Sequence, residues 1–144
     1  MQDNDYRIAV ALYLYGDELD PATISARLGV SPSDSHCKGD RLIIPTGREI
    51  IRKTGLWKLR EVSDSLDTST ISGHINSLCS QVGTSATSIL DLEGVQSAHL
   101  DVFIATRTSE SGHGEVAFEL SQDNIDAMKQ LGVPVQFTVA TGPK

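Results

Sequence analysis

Apolar and polar residues alternate along five stretches of the chain, and a period of two predicts strands with one buried face. The first stretch, residues 7–15, places Ile8 and three further aliphatic side chains on one face, with Tyr13 and Tyr15 on the other. The same alternation recurs over residues 56–62, 98–106, 116–120 and 135–139. A sixth, shorter strand is expected within the irregular, glycine-punctuated connection over residues 31–55.

A unit made of a strand and a helix that ends at Leu-Gly-Val before a proline occurs twice, once near each end of the chain. The first copy continues from the first strand into a helix over residues 20–28, and the second joins strand 116–120 to a helix over residues 122–131. Glycine readily adopts the left-handed conformation that closes a helix. We therefore expect the two helices to end at Gly29 and Gly132.

The middle helix is predicted over residues 67–82 because apolar side chains recur there at helical spacing. We expect His74, which lies within that stretch, to hydrogen-bond a neighbouring strand or loop. The resulting order, β-α-β-β-α-β-β-α-β, predicts one α+β domain over residues 1–144 with a mainly antiparallel sheet and helices on one face. It suggests a ferredoxin-like βαββαβ core extended by a further βαβ unit, with flexible ends at residues 1–5 and 141–144.

Charge is distributed unevenly along the chain, whose formal net charge is −7. Seven of the twelve Lys and Arg residues fall between Lys38 and Arg60, so the remainder is strongly acidic. An acidic surface repels phosphate backbones, which argues against nucleic-acid binding and favours a basic protein partner. No apolar run approaches the ~20 residues of a membrane span, and residues 1–5 do not resemble a secretory signal. We therefore expect a cytoplasmic protein, of an oligomeric state that the sequence leaves open.

The two cysteines, Cys37 and Cys79, are too few for a disulfide scaffold. We expect both to be reduced and Cys79 to lie on the core side of the middle helix. The histidines and cysteines show none of the spacings that are typical of zinc sites, and no serine, histidine and carboxylate pattern of a hydrolase can be recognised. The sequence therefore predicts no catalytic residues, no metal and no cofactor.

Two surfaces remain as candidates for binding. If the helices cover one face of the sheet, aromatic anchors with a charged rim stand on the other face, an arrangement typical of protein-binding surfaces. These residues are Tyr13, Tyr15, Phe103, Lys58 and Arg60, together with an acidic edge of Asp17 and Glu18. In the alternative arrangement, residues 31–55 fold over this face and bury it. A second candidate site, for an anion or small molecule, comprises His36, Lys38, Arg41 and His113.

Short motifs spread over nearly the whole chain carry a family resemblance. They are Tyr15-Gly16-Asp17, Leu19-Asp20-Pro21, Lys38-Gly39-Asp40, Thr54-Gly55-Leu56-Trp57, His74 with Leu78, Ser111-Gly112-His113-Gly114, Leu120-Ser121 and Leu131-Gly132. In this order they resemble a bacterial family known only as domain of unknown function 4279. Glu115 stands where that family usually has glycine. The resemblance implies a single domain of bacterial origin, and it supplies no activity.

Together these features favour a non-catalytic protein-binding module. By a looser analogy with small acidic bacterial proteins, its specific form would be an immunity protein that neutralises a cognate toxin, with a basic toxin domain as partner. The alternative function is a small-molecule or anion-binding domain with hydrolytic activity.

Overall fold

The structure is a computed structural model that describes residues 7–82, 88–107 and 115–142. Five strands form one sheet in the order β2-β5-β1-β6-β7, and two more form a separate hairpin, β3–β4. The strands are β1 Ile8–Gly16, β2 Asp34–His36, β3 Arg41–Ile43, β4 Glu49–Ile51, β5 Gly55–Ser63, β6 Ser97–Arg107 and β7 Val135–Gly142. The helices are α1 Pro21–Leu28, α2 Thr70–Val82 and α3 Gln122–Leu131, with a 3-10 turn at Ile89–Asp91.

The sheet confirms the α+β class and its mainly antiparallel character. Strand β1 is central and antiparallel to both β5 and β6, β2 extends the sheet beside β5, and only β6 and β7 run parallel. The last pair is joined through α3, as a parallel connection requires. A ferredoxin-like core is not confirmed, because it would place a parallel strand beside β1.

The core lies between the sheet and the three helices, which occupy one face of it. Leu12 of β1 lies between Leu59 of β5 and Leu100 of β6, and all three are buried. Trp57 is fully buried on the same face, where its indole N–H donates to the Ser25 hydroxyl of α1 at 3.0 Å. The alternation in β1, β5 and β6 thus predicted the buried face correctly.

Both helix ends of the repeated unit are confirmed. Gly29 and Gly132 close α1 and α3 in the left-handed conformation, with φ of 72° and 73°. At the other end, Asp20 caps α1 by accepting from the Ala22 amide, and Ser121 begins α3 through a reciprocal capping box with Asn124. These residues are accounted for by local helix chemistry.

The strand predicted at 116–120 is wrong. This segment forms no ladder with any strand of the residues that the structure describes. Its alternate side chains still pack against the core, and the ring of Phe118 lies 5.9 Å from that of Phe137 in β7. The alternation of apolar and polar residues therefore indicated that every second side chain packs on the core, and this can occur without a hydrogen-bonded partner strand.

The connection over residues 31–55 holds three short strands where one was expected. Strand β2 joins the edge of the main sheet, whereas β3 and β4 pair with each other. Strands of three residues are too short to show a period, which is why the sequence pattern missed them. Of the end expected to be flexible, Thr141 and Gly142 belong to β7, whereas residues 1–5, 143 and 144 lie outside the described part of the chain; the expectation of flexibility stays a prediction.

A buried polar contact joins the two longer helices. Asn124 of α3 is fully buried and donates from its side-chain amide to the Ser72 carbonyl at 3.1 Å and to the Asn76 side chain at 2.8 Å. Both acceptors belong to α2. Since a buried amide needs partners, this contact fixes how α3 sits on α2.

Candidate functional site

The sheet face opposite the helices, here called the open face, carries the predicted partner-binding residues of the strands. Tyr13 lies opposite Lys58 of β5 on one side and His99 of β6 on the other. Arg60 and Phe103 belong to the same face at neighbouring register positions. All of these side chains are partly exposed, and the hairpin β3–β4 pairs with itself instead of adding to this sheet.

Aromatic rings on the open face stack across the strands. The Tyr13 and His99 ring centroids are 4.8 Å apart with planes 10° from parallel, and the Tyr15 ring lies 6.1 Å from each. The Lys58 ammonium covers the other side of Tyr13 at 4.9 Å from its centroid. Because the Tyr13–His99 spacing equals the separation of adjacent strands, about 4.8 Å, the rings stand upright on the sheet. They present edges and hydroxyls to the outside, and the two faces of Tyr13 are covered by His99 and Lys58.

The phenols of the stack stay protonated well above neutral pH. Burial, and after it the nearby Asp101 carboxylate, raises the pKa of Tyr13, while Arg60 opposes the change. Burial also raises the pKa of Tyr15, with smaller contributions from Tyr13 and Asp101. Asp101 is itself held by the Thr138 hydroxyl at 2.9 Å. The face therefore offers neutral hydroxyl donors beside fixed charges.

The predicted acidic edge lies in the turn after β1, at the end of the sheet. Asp17 and Glu18 are exposed and line an open cleft of about 380 Å³ together with Gly94, Val95 and Gln96. The Asp17 amide donates to the Gln96 side chain at 2.7 Å. Gly94 has φ of 85°, and a Cβ there would lie 2.8 Å from the Glu18 carbonyl oxygen. The close approach of two backbones thus forms this cleft and requires glycine at position 94.

The residues predicted to hold an anion are dispersed over separate elements. Lys38 is 3.5 Å from the Asp17 carboxylate, and Arg41 is 3.3 Å from Glu49 across the hairpin. His36 lies on β2 with its buried Nδ1 atom unpartnered, and His113 lies outside the described residues. Both described cations therefore already face a carboxylate, which would compete with an added anion.

The structure also brings together a polar group that sequence reasoning missed. Ser63 and His74 Nε2 are 2.7 Å apart, and His74 Nδ1 lies 3.8 Å from Glu61. The other oxygen of Glu61 accepts from Ser77 at 2.7 Å and from Gln81 at 2.9 Å. This network joins α2 to β5, as expected of His74, and the 3.8 Å separation exceeds a hydrogen bond. Only the packing of α2 on β5 reveals it, since Glu61 and Ser63 carry no motif.

Neither thiol is paired. Cys79 is buried in α2, as predicted, and Cys37 is exposed. Within residues 7–82, 88–107 and 115–142, no three His, Cys, Asp or Glu side chains converge in a way that could hold a metal ion. In the same part of the chain, no helix has the length and apolar character needed to cross a membrane.

Comparison with protein families shows that nearly the whole chain matches a family of unknown function. A family model described as "Domain of unknown function (DUF4279)" matches residues 4–141, nearly the whole chain. No curated protein matches the sequence, and no solved structure matches the fold. Any function must therefore be inferred from the surface itself.

Proposed function

Because the chain belongs to the DUF4279 family, which carries no assigned activity, we propose from its surface that it is a non-catalytic protein-binding module with the open face as its recognition surface. The observation that carries the proposal is the upright stack of Lys58, Tyr13 and His99, with Tyr15 beside it. Tyrosines on a rigid sheet bind with little loss of side-chain entropy, and tyrosine and arginine are enriched at binding hot spots.

The orientation of the rings favours a protein over a sugar or a nucleobase. Those ligands stack on exposed ring faces, whereas both faces of Tyr13 are covered, one by His99 and one by Lys58. The stack instead offers ring edges and hydroxyls, with the charged Arg60 and Asp101 on the adjacent strands. A partner with backbone and side-chain hydrogen-bonding groups around an apolar contact matches this surface.

Charge favours a basic partner. The chain carries −7, and Asp17 and Glu18 extend the candidate surface at the end of the sheet. Complementary charge accelerates association and selects against acidic competitors. The specific form of the proposal is a bacterial immunity protein that acts in the cytoplasm and neutralises a cognate toxin with a basic domain.

The test is calorimetric titration of this protein with the products of the genes beside its own. We expect one of them to bind, and Tyr13→Ala to weaken binding by about thirtyfold, which corresponds to a hot spot of about 2 kcal/mol. The control is Ile125→Ala, because Ile125 is an apolar side chain of α3 that is 45% exposed and lies away from the open face. It should leave the affinity unchanged.

The toxin version has its own measurement. Co-expression of this protein with the neighbouring gene should restore growth, and Tyr13→Ala should reduce that protection more than Ile125→Ala does. Equal losses of affinity in the two variants would show that the open face is not the recognition surface. Failure of every neighbouring product to bind would contradict the immunity role.

A further inference from the structure

The two edges of the main sheet differ sharply. Strand β2 closes one edge with three residues that include Asp34, a short and charged edge of the kind that resists pairing with another chain. Strand β7 closes the other edge with eight residues, Val135–Gly142, that contain no charged residue and no proline. Phe137 and Val139 on this strand are 50% and 54% exposed. Long, neutral, apolar edges are templates for strand addition.

Along β7, the backbone N–H and C=O groups of successive residues point alternately towards β6 and away from the sheet. The Leu100 amide donates to the Pro134 carbonyl at 2.8 Å, which sets the parallel register with Leu100 opposite Val135. In that register Gln136 and Thr138 bond to β6, so the N–H and C=O groups of Phe137 and Val139 point away from the sheet. No backbone group of the described residues bonds to this outer edge.

We propose that the outer edge of β7 pairs antiparallel with β7 of a second copy of this chain about a two-fold axis. Self-pairing satisfies the outward groups of both copies at once, as an isologous interface does. Each molecule carries −7, which opposes self-association in general, but β7 has no charged residue, so two β7 strands can pair without placing like charges opposite each other. A foreign strand would need no such neutrality.

The alternation of outward groups also selects a register. With the axis at Thr138, Phe137 of one copy exchanges both backbone hydrogen bonds with Val139 of the other. This sets an aromatic against a β-branched side chain on the helix face, and the two Thr138 residues face each other on the open face. Both are favoured cross-strand pairs. The result is a continuous ten-stranded sheet whose two open faces lie on the same side.

Disulfide trapping tests this register. In a Cys37→Ser background, which leaves only the buried Cys79, Thr138→Cys should form a covalent dimer under mild oxidation. Facing residues of a non-hydrogen-bonded antiparallel pair have Cα atoms about 4.5 Å apart, within disulfide range. Ala140→Cys is the matched control on the same face of β7. It would face Gln136 of the second copy, with the two cysteines roughly 14 Å apart, and should remain monomeric.

Sedimentation of the unmodified protein supplies the second readout. We expect the mass to rise with concentration from 15.5 kDa to twice that value, and Val139→Pro, which removes an outward N–H, to abolish this while Val139→Thr does not. A monomer at every concentration, or cross-linking of Ala140→Cys as readily as Thr138→Cys, would overturn the proposal. Tyr13→Ala should dimerise normally, so failure here and failure of the recognition surface are separable.

Discussion

The two faces of the sheet are formed by alternate residues of the same strands, yet one face forms the core and the other is partly exposed. On the helix face, Leu12, Trp57 and Leu100 are fully buried. On the open face, Tyr13, Lys58 and His99 are partly exposed and stacked on one another. The difference teaches that folding and recognition should be separable here by substitutions at adjacent positions, because alternation sends adjacent side chains to opposite faces.

The largest expected effect is on the helix face. Trp57→Ala should lower the free energy of unfolding by about 3–5 kcal/mol, since it empties a large buried site and leaves the Ser25 hydroxyl without its indole donor. Urea denaturation followed by circular dichroism measures it. Lys58→Ala, one residue along and on the open face, should cost less than about 1 kcal/mol. Similar losses in the two variants would erase the distinction between the faces.

The second largest loss of stability is expected where α3 packs against α2, on the side of the sheet that the helices cover. Asn124→Ala should destabilise the protein by about 1–3 kcal/mol, because it removes the side-chain oxygen that accepts from the Ser121 amide and the two hydrogen bonds from the buried amide to Ser72 and Asn76 of α2. Gln122→Ala, which loses only an exposed bond to Asp126, is the control. Equal stability of the two variants in thermal unfolding would show that the α2–α3 join does not depend on this amide.

A smaller effect is expected at the centre of the open face. Tyr13→Ala should cost about 1 kcal/mol in unfolding free energy, because stacked aromatic pairs contribute about 0.5–1.5 kcal/mol beyond burial and the ring is only partly covered. Chemical denaturation measures this alongside the binding assay. A loss as large as that of Trp57→Ala would mean that the open face is a second core.

The smallest expected effect is tested by chemical modification of the two native cysteines, without any substitution. Burial raises the pKa of Cys79 to about 11, so its thiol stays protonated and shielded at pH 8, whereas Cys37 is exposed. A disulfide reagent should therefore modify one thiol per chain quickly and the second only on unfolding. Rapid modification of both in the folded protein would show that the helix face opens readily.

Features that depend on neighbouring residues in the sequence, such as helix ends, could be predicted. Features that depend on strand pairing could not. The helix ends at Gly29 and Gly132 could be predicted from the sequence because helix capping involves residues that are close together in the chain. The segment 116–120 misled because alternation reports burial on one side and not a partner strand. The outward placement of Tyr13 followed from its own strand, but its stack with His99 did not, since strand register joins residues far apart in sequence.

The central position of β1 bears on how this chain acquires its structure. Both sheet neighbours of β1 come later in the sequence, since Leu12 lies opposite Leu59 and Leu100. Such distant contacts slow folding, since a long loop must close before they form. One edge of the apolar β1 therefore stays unpaired until Gly55–Ser63 is made and the other until Ser97–Arg107 is made, and such unpaired edges favour aggregation of the incomplete chain during expression.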